Sequence, residues 1–194
     1  MEKFEFDDIT FDEETRLLYE GHHVNGMDLA PEAFPLFMTS AFNMGNLDDV
    51  EKSYAEKKYT YIRTRNPNRK ALADVLTYLE QGADTLIFSS GMGAITTTYF
   101  SLLKRGDHFL CNENIYGETF DSITSLLSNW GVEADFVPFD DLDAVRAAIR
   151  PNTKMVYTEV ASNPTDRLCD IEEIAKIAHG AGALLMVDNT FTTP

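Results

Sequence analysis

"DTLIFSSGMGAITTTYFSLLKRGDHFLCN", residues 84–112, decides how the rest of the chain is read. The apolar run "DTLIFSS" has strand length, "AITTTYFSLLKRG" has helix length, and "HFLCN" is a second short apolar run. Strand, helix, strand is the pattern of a βαβ crossover, which joins parallel neighbours. Small residues, "SSGMGA" at 89–94, stand where the first strand hands over to the helix. One reading is backbone geometry alone, because glycine allows a tight bend or a close helix–sheet approach. The other is an anion site, because the unpaired amides and partial positive charge of a helix N-terminus suit a phosphate.

The alternation continues downstream. "VEADFVPF", "KMVYTEV" and "ALLMVDN" read as further strands, and "TFDSITSLLSNWG", "DLDAVRAAIR" and "IEEIAKIAHGAG" as the helices among them. The expected class is therefore α/β, a mainly parallel sheet with helices on both faces. Local signals agree. Asn66 and Pro67 are ordered as an N-cap and first-turn proline, and Leu72, Val75, Leu76 and Leu79 then recur on one helical face until Gly82. Asp170 with Glu173 has the spacing of a capping box. Residues 1–60 are different: aromatic-rich, polar, and broken by "EGHHVNG", Pro31 and Pro35, with one short helix expected over 48–57. They read as an extended arm that packs on a neighbouring subunit, with 61–194 forming the α/β portion.

Bulk properties remove several functions. A net charge of -16, from 16 basic and 32 acidic residues, opposes binding to a nucleic-acid backbone. No apolar run approaches the roughly 20 residues that span a bilayer, and the start "MEKFEFDD" lacks the pattern of a signal peptide, so a cytoplasmic protein is expected. Cys111 and Cys169 lie far apart without metal-site spacing, which fits free thiols and no metal.

If "SSGMGA" holds a phosphate, the ligand is neither a dinucleotide nor a Walker A nucleotide. Gly91 and Gly93 supply a G-x-G, but Thr96 occupies the third glycine position, and no glycine-lysine-Ser/Thr sequence occurs. Three residues after other strands narrow the choice: Tyr116 in "NIYGET", Asn163 in "SNPT" and Asp188 in "LLMVDNT". Each has a plainer reading, since Asp188 and Asn163 also suit turns and Tyr116 also suits a core. Together they offer a phosphate turn, an aromatic face, an amide and a carboxylate. That set matches pyridoxal 5'-phosphate, whose ring nitrogen is kept protonated by a carboxylate.

"YIRTRNPNRKALADVLTYLEQGADTLIFSSGMGAI", "NIYGETF", "EVASNPT" and "LLMVDNTFTTP" together resemble the Cys/Met-metabolism family of pyridoxal-phosphate enzymes, from about Thr15 to Pro194. This family includes cystathionine γ-synthase, cystathionine γ-lyase and methionine γ-lyase. The resemblance implies a fold-type I domain in which the Ser90, Gly91 and Met92 turn binds the cofactor phosphate. Tyr61 and Arg63 of the Y-x-R motif would reach that phosphate from a neighbouring subunit. Tyr116 would stack on the ring and act catalytically in proton transfer, Asn163 would approach the ring hydroxyl, Asp188 would pair with the ring nitrogen, and Thr190 would complete the set. A homo-oligomer, a dimer of dimers with shared sites, is implied.

The departures from that family are also informative. Its Schiff-base lysine lies beyond the "DNT" strand in a Ser-x-Thr-Lys motif, and no lysine before Pro194 has that context. The expectation is an N-terminal portion, inactive alone, of an enzyme that eliminates or replaces a γ-substituent on an amino-acid substrate, completed by further C-terminal polypeptide. β-Elimination and a non-catalytic subunit that completes a partner's site are the alternatives. Glu118 stands after "YG", where it either faces the substrate side chain or is a solvated acid at a helix start. Asn68, where the family commonly has threonine, is expected to alter only helix-start contacts.

Overall fold

The computed structural model describes residues 12–18 and 33–194; the acidic start, "EGHHVNG" and Pro31 lie outside the described residues. The chain forms two compact units, Met1–Ile87 and Phe88–Pro194, each described by itself.

Among the described residues of the first unit, three helices begin on side-chain caps. Asp12 accepts from the Thr15 amide ahead of α1 (Glu13–Leu17), and Asn46 accepts from Asp49 ahead of α2 (Leu47–Ala55). Asn66 accepts from Arg69 ahead of α3 (Pro67–Leu79). Each carboxylate or amide oxygen satisfies one amide that the helix itself leaves unpaired. The end of α3 differs in detail from its sequence signal. Gln81, with φ 49°, takes the left-handed position, while the Gly82 amide donates to Thr77 O at 2.9 Å. Asn68 also does more than shape a helix start. Its Nδ2 donates to Pro35 O at 2.8 Å and its Oδ1 accepts from Phe37 N at 2.9 Å, so it fastens the 35–37 segment to α3.

The second unit is a parallel sheet of β1 (His108–Asn112), β2 (Glu133–Val137), β3 (Thr153–Glu159) and β4 (Leu184–Asp188), in the order β2-β1-β3-β4. Its helices are α4 (Gly91–Leu102), α5 (Gly117–Ser122), α6 (Leu142–Ala148) and α7 (Ile171–Gly180), and α5 continues as a π-helical turn over Ile123–Leu127. Strand alternation sorts the core into two layers. Phe109, Cys111, Met155 and Tyr157 pack with Ile95 and Tyr99 of α4 and with Ile123 and Leu127. Leu110 and Val156, one residue out of step, pack on the other face with Val145 of α6 and Ile174 and Ala178 of α7. Central strands β1 and β3 are buried almost throughout, as a sheet covered on both faces requires, whereas β2 and β4 are partly open.

Two local expectations are corrected. "DTLIFSS" is not a strand: among the described residues it has no ladder partner, and an apolar run becomes a strand only when a neighbour takes its amides and carbonyls. The capping box is half made. Asp170 accepts from the Glu173 amide at 3.1 Å, but the Glu173 carboxylate turns outward to Lys176 at 2.7 Å. No helix among the described residues is long and apolar enough to cross a membrane.

Candidate active site

The strand order fixes where a ligand can enter. From β1 the chain runs through α5 to β2 on one side, and after β2 it crosses to β3 on the other side of β1. The connection leaving β1 covers one face of the sheet and the α7 connection leaving β3 covers the other. The loops therefore diverge beyond the carboxyl ends of β1 and β3, leaving the crevice in which open α/β sheets bind ligands. A cavity of about 350 Å³ lies there, lined by Ser90, Gly91 and Met92 at the start of α4, Tyr116 after β1, Glu159, Ala161 and Asn163 at and after β3, and Asp188, Thr190 and Phe191 at and after β4.

The mouth of α4 supplies the positive end. Ser90 caps the helix, its Oγ accepting from Gly93 N at 3.0 Å and its carbonyl from Ala94 N at 3.1 Å. The first two amides, those of Gly91 and Met92, lie ahead of these bonds, where a helix has no carbonyl of its own to offer. The two glycines serve different purposes. A Cβ on Gly93 would fall 3.0 Å from Ser90 Oγ and press on the cap, whereas a Cβ on Gly91 would meet nothing within 4 Å. Protein packing thus explains Gly93 and leaves open space beside Gly91, at the cavity wall.

Two carboxylates supply the negative end. Asp188 closes β4; its Oδ1 accepts from Thr190 N at 2.9 Å and from Thr190 Oγ1, and its Oδ2 accepts a longer bond from the Tyr157 hydroxyl at 3.4 Å. Burial pushes the Tyr157 phenol far above its ordinary range, with the Asp188 charge adding to the shift, so it stays a donor. Glu159 is the β3 partner of Asp188 in the parallel register and is 6% exposed. Its Oε1 accepts from Tyr116 N at 2.6 Å and its Oε2 from Asn163 N at 3.3 Å. Burial pushes the Glu159 carboxyl up; the two amides pull it back, and the nearby Asp188 charge raises it further. A ligand that is anionic at one end and cationic at the other fits such a cavity.

The sequence profile of the Cys/Met metabolism PLP-dependent enzymes matches residues 14–194. The chain belongs to that family. An L-methionine gamma-lyase of Fusobacterium nucleatum is 38% identical over 165 residues, which are 84% of this chain and 42% of that protein. A cystathionine gamma-lyase of Bacillus subtilis is 45% identical over 136 residues, covering 70% of this chain and 36% of its own. Among solved structures, a putative O-acetylhomoserine (thiol)-lyase of Campylobacter jejuni, carrying pyridoxyl-lysine 5'-monophosphate, superposes with a TM-score of 0.84 at 32% identity, over 95% of this chain and 46% of that one. The chain thus spans less than half the length of these relatives.

The fold brings most of the sequence-derived site residues of this PLP-dependent enzyme family member to one cavity. Ser90, Gly91, Met92, Tyr116, Asn163, Asp188 and Thr190 all line it. Tyr61 and Arg63 lie in the other compact unit, where the Arg63 guanidinium sits 5.3 Å from the Tyr61 ring centroid and Tyr61 pairs with Ala41 in an isolated bridge. Glu118 is exposed on the first turn of α5 and is not among the lining residues. Sequence reasoning missed Glu159 and Tyr157. A hint was available in "KMVYTEV", where a glutamate ends an otherwise buried strand, because a charge in that setting requires partners.

Proposed function

We propose that the chain forms the cofactor pocket of a pyridoxal-phosphate enzyme that eliminates or replaces a γ-substituent, typically sulfur, on an amino acid. The observation that carries this reading is one cavity with an uncrowded helix mouth at Gly91 and a fixed carboxylate at Asp188. The donor set fits the cofactor. The Gly91 and Met92 amides would take the phosphate, with Ser90 holding the turn, and Asp188, fixed by Thr190, would hold the proton on the ring nitrogen. Tyr116 would lie on the ring and move a proton at the leaving group, and Asn163 would orient the ring hydroxyl. The cofactor, when bound, supplies an electron sink for the amino-acid Cα. Tyr61 and Arg63 would complete the phosphate site of a neighbouring subunit in a homo-oligomer, with residues 1–60 as the connecting arm.

Equilibrium dialysis of the purified protein against pyridoxal 5'-phosphate tests the pocket, with saturable binding expected and no binding refuting it. Keto-acid analysis after incubation with methionine or cystathionine tests the reaction. A longer-chain keto acid supports γ-chemistry, whereas pyruvate would replace it with β-elimination. A second reading is a subunit that binds cofactor and completes a partner's site without reacting, the role that Tyr61 and Arg63, outside the cavity lining, would serve. Cofactor binding without any keto acid, in the presence of all partner chains, would select it.

A further inference from the structure

We infer that Glu159 is a positioning residue that bridges the crevice, its two carboxylate oxygens holding the loop of Tyr116 to the loop of Asn163. The inference rests on the cofactor reading for its consequence but not for its geometry. Beyond β1 and β3 the two chains part toward opposite faces of the sheet, and the strand ladder between them ends at Cys111 and Tyr157. Glu159 stands just past that end. One of its oxygens takes the Tyr116 amide at 2.6 Å and the other takes the Asn163 amide at 3.3 Å. This one side chain thus ties the two loops together beyond the end of the ladder.

The residue type follows from this geometry. Both partners are donors, so both oxygens must accept, which a carboxylate does and a carboxamide does not. Glutamine at this position would turn its amino group toward one of two amides and lose that contact. The position also explains why Tyr116 needs help. It occupies the N-cap of α5 yet makes no side-chain cap, and the residue is 41% exposed at the cavity wall. Its backbone amide is therefore a principal anchor for the ring. On the β1 side, Asn112 steadies the base of the same loop: its Oδ1 accepts from Asn114 N at 3.1 Å and its Nδ2 donates to Thr158 Oγ1 at 3.1 Å. Glu159 continues that fastening outward to Tyr116 and across to Asn163.

Residue-resolved amide exchange, measured by NMR on the protein without cofactor, tests the bridge directly. E159Q is expected to speed exchange at Tyr116 or Asn163, and at neighbours in both loops, by about 10-fold or more relative to the β3 core. E159D keeps the charge but is one methylene shorter, and it is expected to free the longer Asn163 contact before the Tyr116 contact. Exchange rates in both loops that rise only in step with the whole sheet would overturn the inference, because they would mark a general loss of stability. If E159Q does not fold, E159D decides: unchanged exchange at both amides overturns it. The consequence for the site is read from pyridoxal 5'-phosphate dialysis. E159Q is expected to weaken binding several-fold, and less so in a Y116A/N163A background, since the bridge acts through those two residues. Equal losses in the two backgrounds would overturn the positioning role. If the wild-type protein binds no cofactor, the proposed function fails while the exchange experiment still judges the bridge.

Discussion

Replacing Asp188 by asparagine separates the charge at the cavity floor from its architecture. In the wild type, Oδ1 holds Thr190 through both N and Oγ1, and Oδ2 receives the Tyr157 hydroxyl at 3.4 Å. Asparagine keeps an oxygen for Thr190, and its amino group can donate to the Tyr157 oxygen after the hydroxyl rotates away. The fold should therefore lose no more than about 1 kcal/mol, roughly one ordinary hydrogen bond. Cofactor binding should lose more, because the ring nitrogen then faces a neutral amide. A hydrogen bond to a charged group contributes about 1.5–3 kcal/mol, and about 1.4 kcal/mol is tenfold in affinity, so D188N should bind pyridoxal 5'-phosphate about 10- to 150-fold more weakly. Equilibrium dialysis gives the affinity and thermal melting the control. Binding within about twofold of wild type, with an unchanged Tm, would refute the assignment of Asp188 to the ring nitrogen.

Three further outcomes are expected. G91V should fold normally, since a Cβ there meets nothing within 4 Å, but it should lose most cofactor affinity because its side chain enters the cavity; intact binding beside an unchanged Tm would remove the phosphate from the α4 mouth. I174A should cost about 2–5 kcal/mol in urea unfolding, because Ile174 is fully buried in the layer joining α7 to the sheet, and a loss well under 1 kcal/mol would mean that this layer is not packed as described. His108 is fully buried at the opposite end of β1 from the cavity, its Nδ1 2.8 Å from Thr153 Oγ1, and burial, with the Arg150 charge adding, lowers its pKa against the opposing pull of Asp135 and Glu133. Its unfolded form takes a proton first as pH falls, so the stability that neutral His108 contributes is present above about pH 6.5 and is lost as pH falls through the lower folded pKa. The Tm difference between wild type and H108Q should accordingly shift against the wild type between about pH 7.5 and about pH 5, and a difference that is constant with pH would refute the burial argument.

Much of this architecture was legible because local rules and global fold agree. The three later strands and the helices among them follow from period and capping residues, and Asn66 begins α3 where its sequence places it. Tyr116, Asn163 and Asp188 could be assigned to one rim because loops after parallel strands share an end of the sheet. What escaped depends on partners distant in sequence. "DTLIFSS" has strand composition, but strandness also requires a neighbour, which composition does not specify. Asn68 reads as a helix-start residue until Pro35 and Phe37, more than thirty positions away, are seen to use its amide.

Glu159 and Asp188 show why the negative end of the cavity was harder to read than the positive end. A helix mouth is backbone chemistry, and small residues between strand and helix announce it in a single short segment. The negative end is assembled from β3 and β4, and only the parallel register reveals that the two carboxylates are neighbours. They have then been given separate tasks by their hydrogen bonds. Asp188 spends its contacts on Thr190 and the Tyr157 hydroxyl, both able to fix the carboxylate while it lines the cavity. Glu159 turns both oxygens to backbone amides of flanking loops, which leaves it less free to serve as a ligand's ion partner. The residue that sequence motifs single out thus keeps its carboxylate at the cavity wall, and the one they pass over holds the loops on either side of it.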